Sequence, residues 1–96
     1  MELKTYIGTI ISKKEGIGTL SEGPEYYIDL VEPNDFGQME LVIRKEVPLW
    51  QEDPILQPHV GQKVQLIGEP IYTKHVKFEG TIKSEGIIYK EIKSID

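Results

Sequence analysis

The chain has 96 residues and no cysteine, with 11 Lys and Arg against 16 Asp and Glu and a formal net charge of −5. This length predicts one domain, and without cysteine its core must hold without disulfides or a thiolate-bound metal. The acidic balance argues against a protein that mainly wraps duplex nucleic acid, because such binding draws on many Lys and Arg contacts with phosphate. With no apolar leader and no run of about 18 apolar residues, we expect a soluble, cytoplasmic protein that makes no membrane contact.

The N-terminal part of the chain has the pattern of strands interrupted by turns. Residues 3–12 are rich in Thr, Tyr and Ile, which favour strands. Gly8 lies inside this run, where a missing side chain is typical of a bend or of a close approach between backbones. Turn-forming residues at 13–16 and 21–24 enclose a short strand predicted at 17–20.

A clearer alternation between residues 26 and 44 predicts an antiparallel hairpin. Period 2 in the strand 26–31 divides its residues between two faces, Tyr26, Ile28 and Leu30 on one and Tyr27, Asp29 and Val31 on the other. The turn at 32–37 contains Pro, Asn, Asp and Gly, the residue types that turns require. It leads to a strand at 39–44 in which one face has Met39, Leu41 and Ile43 and the other has Val42 and Arg44.

Prolines interrupt the region that follows. Three of them within residues 48–58 exclude a long helix. Asp53 is nevertheless a good N-cap before Pro54, and Gly61 is a good helix stop. We therefore predict a short helix or 3₁₀ turn at 54–60. We expect its apolar residues to close one end of a barrel, and these are Ile55, Leu56 and Val60.

The C-terminal third predicts further strands. One covers 61–72, and two more at 76–82 and 87–95 form a predicted hairpin that turns at Ser84-Glu85-Gly86. Ile92 and Ile95 are out of phase with the rest of their strand, which a terminal β-bulge would explain.

Together these patterns predict an all-β domain, a barrel of five to six strands with one short helical turn between strands 3 and 4. Four segments resemble small proteins of the oligonucleotide/oligosaccharide-binding (OB) fold: residues 60–68 (VGQKVQLIG), 91–95 (EIKSI), 7–10 (IGTI) and 26–30 (YYIDL). The first is similar to the strand that follows the capping turn in such domains, and the second to their closing strand. The resemblance implies a fold and not an activity, and the connection over 70–86 is longer than in its simplest form.

The sequence lacks the spacings that catalysis or metal binding needs. His59 and His75 are too far apart in the chain for an i, i+4 pair of metal ligands. Gly16 and Gly18 begin like a phosphate-binding loop, but neither a third glycine nor a Lys-Ser/Thr pair follows. We therefore expect no catalytic residue, no metal and no cofactor.

The resemblance also implies where a ligand would bind. OB folds generally bind across the face of strands 2 and 3 and at the loops after strands 1 and 4, which here includes Tyr27 and Arg44. Aromatic and cationic residues are mixed in the 70–86 connection, a chemistry that stacks bases and neutralises phosphates. We assign five of its residues to the same candidate site, Tyr72, Lys74, His75, Lys77 and Phe78. The other interpretation is that the two aromatic residues of this connection pack against the barrel.

Trp50 follows Leu49 in the proline-rich region. An aromatic residue beside an aliphatic one on a rigid loop is typical of an anchor for a protein partner, although the same residue serves equally well to cap a core. Two functional hypotheses follow. The leading one is a non-catalytic interaction module that contacts an unknown protein partner. The alternative is single-stranded nucleic-acid binding through the strand 2–3 face and the 70–86 connection.

Overall fold

A computed structural model of the chain describes residues 2–15, 18, 23–44, 53–75 and 81–95, and all their side chains except those of 15, 73–75 and 81–85. This part of the chain is all-β. Its five strands are β1 (Lys4–Glu15), β2 (Gly23–Leu30), β3 (Glu40–Arg44), β4 (Lys63–His75) and β5 (Thr81–Ser94). A 3₁₀ turn at Gln57–His59, between β3 and β4, is the only helical element among the described residues. None of those residues belongs to a helix long and apolar enough to cross a membrane.

The strands pair in the order β1-β2-β3-β5-β4, and β4 pairs back with β1, so the sheet closes into a ring. β1 makes this closure because it pairs with β4 over Lys4–Thr9 and with β2 over Gly8–Glu15. The pairing of β3 with β5 is parallel, and the other four pairings between the described strands are antiparallel. A closed ring leaves no full-length strand edge open to solvent.

The inward faces of the strands form one core, as the alternation predicts. Its fully buried members include residues from every strand, Ile10, Ile28, Leu41, Val64, Leu66 and Ile87. Met39, predicted to share a face with Leu41, precedes β3 and is exposed. Gly8 is where two backbones approach closely, because a Cβ atom there would overlap the carbonyl group of Asp29. The expectation that Gly8 has a close backbone neighbour is therefore confirmed.

β1 and β2 extend further toward their connection than the sequence predicts. Residues 13–15, predicted as part of a turn, pair with residues 23–25 at the start of β2. The turn prediction is wrong because residues 13–15 continue the pairing of β1 with β2, and the Lys13 ammonium is held by Glu40 at 2.6 Å. The strand predicted at 17–20 lies outside the described residues, apart from Gly18 in a turn.

The largest correction concerns the C-terminal hairpin. β5 runs without interruption through Ser84-Glu85-Gly86 and pairs with β4 as far as His75, so the hairpin predicted to turn at 84–86 is wrong. Gly86 is required by the neighbouring strand, since a Cβ atom there would come within 2.8 Å of the carbonyl oxygen of Val42. Most of the 70–86 connection is therefore two paired strand ends rather than a loop.

The pairing of β4 with β5 contains two register shifts. One lies between Ile67 and Gly68 and the other between Ile71 and Tyr72. The first leaves Lys90 without a partner position, so Ile92 lies across from Leu66 and packs against the core. A bulge is therefore present, but at Lys90 within β5 rather than at its end, and Ile95 lies beyond the strand.

The segment of residues 53–60, called here the 53–60 turn, covers the start of β2 inside the ring. Leu56 is 1% exposed and Val60 packs against the core, but Ile55 is 46% exposed. The expectation that Ile55 helps to close the barrel is therefore wrong. The segment forms turns and a single 3₁₀ turn rather than an α-helix. Adjacent residues of any helical turn point about 100–120° apart, so the burial of Leu56 directs Ile55 toward solvent.

A buried polar network holds the 53–60 turn in place. Asp53 accepts hydrogen bonds at Oδ1 from the backbone N–H groups of Ile55 and Leu56, at 2.8 and 3.2 Å, which confirms it as a cap. Its Oδ2 accepts a third from the Tyr89 hydroxyl at 2.7 Å. The Tyr26 hydroxyl accepts from the Asp53 backbone N–H at 3.1 Å and donates to Gln57 Oε1 at 2.6 Å. The turn is thereby tied to β2 and β5.

Candidate functional site

A groove of about 320 Å³ lies where the first half of β1 separates from β2. Over residues 4–7, β1 pairs with β4, and the chain that leaves β2 runs along its other side. The Val31 N–H donates to the Ile7 carbonyl at 3.1 Å and holds this chain in place. We call this feature the apolar groove, and its described lining consists of residues 4–7, 30–36, Pro70 and Tyr72.

The loop that forms one wall of the groove is held by its own hydrogen bonds. The Asn34 side chain accepts from the backbone N–H groups of Phe36 and Gln38 at 3.0 and 2.9 Å. Gly37 has a φ of +76°, a conformation that favours glycine, and its N–H donates to the Asn34 carbonyl at 3.0 Å. This Asx-turn structure, predicted from the residues at 32–37, presents the Phe36 ring to solvent.

Two aromatic rings meet across the groove from distant parts of the chain. Phe36 and Tyr72 pack edge to face, with ring centroids 6.0 Å apart and an interplanar angle of 79°. Such pairs are favourable beyond the area that they bury. The Tyr72 hydroxyl donates to Glu2 Oε1 at 2.7 Å. Tyr6 lies deeper in the lining, and its burial raises the pKa of its hydroxyl.

The groove is bordered by exposed apolar side chains. Ile7, Val31, Phe36 and Tyr72 all line it, and each is between 38% and 53% exposed. Single exposed apolar residues are ordinary, but several around one concavity are typical of an interaction site. The arrangement can bury an apolar group from another molecule without a large rearrangement of these side chains.

The charges around the groove are predominantly negative. Lys4 is the only cation among its described lining residues, and Glu32 and Asp35 are the acids. The Lys4 Nζ is 3.6 Å from Asp35 Oδ2 and 6.0 Å from the centroid of the Tyr72 ring. Glu2 adds a third acid, because its carboxylate accepts the hydrogen bond of the Tyr72 hydroxyl. Together the one lysine and the three acids carry a net charge of −2.

The strand 2–3 face, the outward side of β2 and β3 that includes Tyr27 and Arg44, is a second candidate surface. The Lys13 Nζ lies 4.7 Å from the centroid of the Tyr27 ring, an arrangement that brings an aromatic and a cation together. The same Nζ is 2.6 Å from Glu40 Oε1, and Arg44 Nε is 3.6 Å from Glu25 Oε1. Carboxylates therefore neutralise the cations that this face would offer to a phosphate.

Three of the seven residues that the sequence assigns to one ligand site have described side chains, and these are Tyr27, Arg44 and Tyr72. Tyr72 contacts Phe36 and Lys4 in the apolar groove, while Tyr27 and Arg44 belong to the strand 2–3 face. Lys74 and His75 have their backbones in β4, and their side chains are not described. Four of the predicted residues lie outside the described residues altogether, and these are Leu49, Trp50, Lys77 and Phe78.

Sequence reasoning missed most of the apolar groove, although two signals were present. Phe36 is an apolar residue in an otherwise polar turn, and Val31 continues the outward face of its strand. Lys4 and Ile7 gave no signal, because only the ring topology brings β1 beside the loop after β2. No cluster of three His, Cys, Asp or Glu side chains that could hold a metal ion occurs in the part of the chain that the structure describes.

Comparison with known proteins identifies no relative: no family model, no curated protein and no solved structure matches this chain. The geometry of the molecule therefore carries the functional argument.

Proposed function

We propose that this chain is a non-catalytic binding module built on an OB-like barrel, and that it contacts a protein partner through the apolar groove. Three features of the fold support the OB-like assignment: the closed strand order β1-β2-β3-β5-β4, the parallel pairing of β3 with β5, and a short helical turn between β3 and β4. An OB fold is a five-stranded barrel that serves mainly as a binding scaffold.

The observation that carries the functional proposal is the exposed apolar border of the groove. Phe36 and Tyr72 are held in an edge-to-face pair at the surface, where neither contributes its full apolar area to the core. Aromatic residues at the centre of an interface are those that most often dominate the binding energy. The loop that carries Phe36 is held by the Asn34 hydrogen bonds, so little conformational entropy is lost when a partner binds.

Site-specific photo-crosslinking tests this proposal. A benzophenone amino acid replaces Phe36 in one variant and Ile55, an equally exposed apolar residue outside the groove lining, in a matched control. In an extract of the source organism we expect discrete crosslinked products from position 36 and not from position 55. A further Val31→Ser change should abolish them. Equal products from both positions, or products insensitive to Val31→Ser, would contradict the proposal.

Single-stranded nucleic-acid binding through the strand 2–3 face is the second candidate function. The Lys13 ammonium over the Tyr27 ring favours it, since aromatic rings and cations together bind single strands. The ion pairs of Lys13 with Glu40 and of Arg44 with Glu25 oppose it. A titration with mixed-sequence single-stranded DNA, followed by backbone amide shifts, tests whether this face binds nucleic acid. Shifts on this face that weaken with salt would support nucleic-acid binding, and no shifts at low salt would remove it.

A further inference from the structure

We infer that the occupant of the apolar groove is a peptide segment of the partner that has an apolar anchor flanked by Lys or Arg. This inference rests on the proposed function and adds the chemistry of the partner. It follows from the size of the groove, the charges around it and the position of Lys4.

The size of the groove suits a peptide side chain. Its volume of about 320 Å³ is at the lower end of the range for ligand clefts, about 300–1,000 Å³. The walls combine aliphatic and aromatic groups, with Ile7 and Val31 on one side and Phe36 and Tyr72 on the other. One large apolar side chain or two smaller ones would exclude water from these surfaces, and each buried methylene group contributes favourably.

Lys4 shows how the groove holds a cation. Its Nζ is 3.6 Å from the Asp35 carboxylate and 6.0 Å from the centroid of the Tyr72 ring. A hydrogen bond with the Tyr72 side chain raises the pKa of the Lys4 ammonium, and the Asp35 side chain is 85% exposed. A Lys or Arg from a partner would meet the same carboxylate and the same aromatic ring. Lys4 therefore acts as an internal competitor for the position of the partner's cation.

The charge balance favours a basic partner over a second copy of this chain. A symmetric dimer through the groove would place two clusters of net charge −2 against each other, and the whole chain carries −5. A basic segment would instead be attracted to the groove before contact and oriented within it.

Three fluorescein-labelled peptide pools test the inference. Each has a short randomised core of Leu, Ile, Phe and Trp, and the flanks are two lysines, two glutamines or two glutamates on each side. Fluorescence anisotropy with the full-length protein gives the affinities. We expect the lysine-flanked pool to bind about tenfold more tightly than the glutamate-flanked pool, and this difference should shrink as salt is added.

Substitutions assign the binding to the groove and to its charges. Phe36→Ser should abolish binding of the lysine-flanked pool, whereas the matched change Ile55→Ser should leave it intact. Lys4→Gln should tighten binding of this pool about two- to fivefold, since it removes the internal competitor and one positive charge. Asp35→Asn should weaken it by a similar factor. All three charged or aromatic positions lie at the surface, so these variants are expected to fold.

The outcomes separate the inference from the proposed function. Equal affinities for the three pools, with binding still lost in Phe36→Ser, would overturn the basic-peptide inference and leave the groove as a docking site. Weaker binding in Lys4→Gln would overturn the role of Lys4 as a competitor. Binding that is insensitive to Phe36→Ser would contradict the groove as the site. Self-association of the protein that Phe36→Ser disrupts would identify a second copy as the occupant and overturn the inference.

Discussion

The two ends of β2 border regions of opposite character. Near its start, the Tyr26 hydroxyl is buried and hydrogen bonded to the 53–60 turn. At its end, Leu30 lines a groove whose border leaves Val31 and Phe36 in solvent. In the first region the Tyr26, Asp53 and Tyr89 side chains are hydrogen bonded to one another or to the turn and Leu56 is covered, and the second region keeps a cluster of apolar side chains exposed around one groove. The contacts of the first region contribute to stability, and the exposed apolar border of the second is the basis for the binding function proposed above.

This difference predicts that substitutions in the two regions have different effects. Asp53 and Tyr89 make a buried pair that a substitution cannot disturb without loss of stability. Phe36 and Tyr72 make their contact at the surface, where a substitution removes little core packing. We therefore expect changes in the 53–60 turn to act on unfolding, and changes in the groove to act on binding.

The largest expected effect on stability is that of Leu56 in the 53–60 turn, and its neighbour Ile55 serves as the control. Leu56→Ala removes a side chain that is 1% exposed and should lower the free energy of unfolding by about 3 kcal/mol, through lost burial and the cavity left behind. Ile55→Ala, its neighbour at 46% exposure, should change it by less than about 0.5 kcal/mol. Urea unfolding at neutral pH measures both, and equal losses would show that the turn does not close the core.

Asp53→Ala should have the next largest effect. It removes the acceptor of two backbone N–H groups and of the buried Tyr89 hydroxyl, so we expect a loss of about 2–3 kcal/mol of unfolding free energy. Asp35→Ala is the matched control, because Asp35 is an exposed carboxylate in the groove. In the double variant Asp53→Ala/Tyr89→Phe the losses should be less than additive, since the two groups share one hydrogen bond. Full additivity would mean that the bond contributes nothing.

The pH dependence of stability should report on Tyr89. Burial and the hydrogen bond to Asp53 raise the pKa of its hydroxyl above the ordinary value of 10. The unfolded chain therefore loses this proton near pH 10 while the folded chain keeps it. The contribution of Tyr89 to stability is complete below that pH and is lost as pH rises from about 10 toward the folded pKa, with a slope of at most about 1.4 kcal/mol per pH unit.

Urea unfolding at several alkaline pH values checks this sign. The decline in stability above pH 10 should be shallower in Tyr89→Phe than in the unmodified chain. The same slope in both proteins would contradict the buried, protonated state of Tyr89.

A smaller effect on stability is expected in the groove. Phe36→Ser should lower the free energy of unfolding by about 1 kcal/mol, well below the loss in Leu56→Ala, because it removes the edge-to-face contact with Tyr72 but little core packing. Thermal unfolding measures this directly. A loss comparable to that of Leu56→Ala would show that Phe36 is part of the core, and the contrast between the two regions would fail.

Local rules predicted much of the fold and little of the groove. Period 2 placed Ile28 inside correctly, and Asp53 before a proline was enough to identify a cap. The turn predicted at 84–86 is wrong because Gly86 is a strand residue that packs closely against Val42 of the neighbouring strand, and no local pattern reveals that neighbour. The groove also depends on which distant strands pair, because Lys4, Phe36 and Tyr72 are far apart in the chain and meet only when the ring closes.

A map of backbone amide shifts compares the two regions in one sample. The tightest-binding member of the lysine-flanked pool is added to isotope-labelled protein. If the groove is the binding site, we expect shifts at residues 4–7, 31–36 and 70–72, and none in the 53–60 turn. Shifts centred on the 53–60 turn or on the strand 2–3 face, with the groove unchanged, would contradict the groove as the binding site.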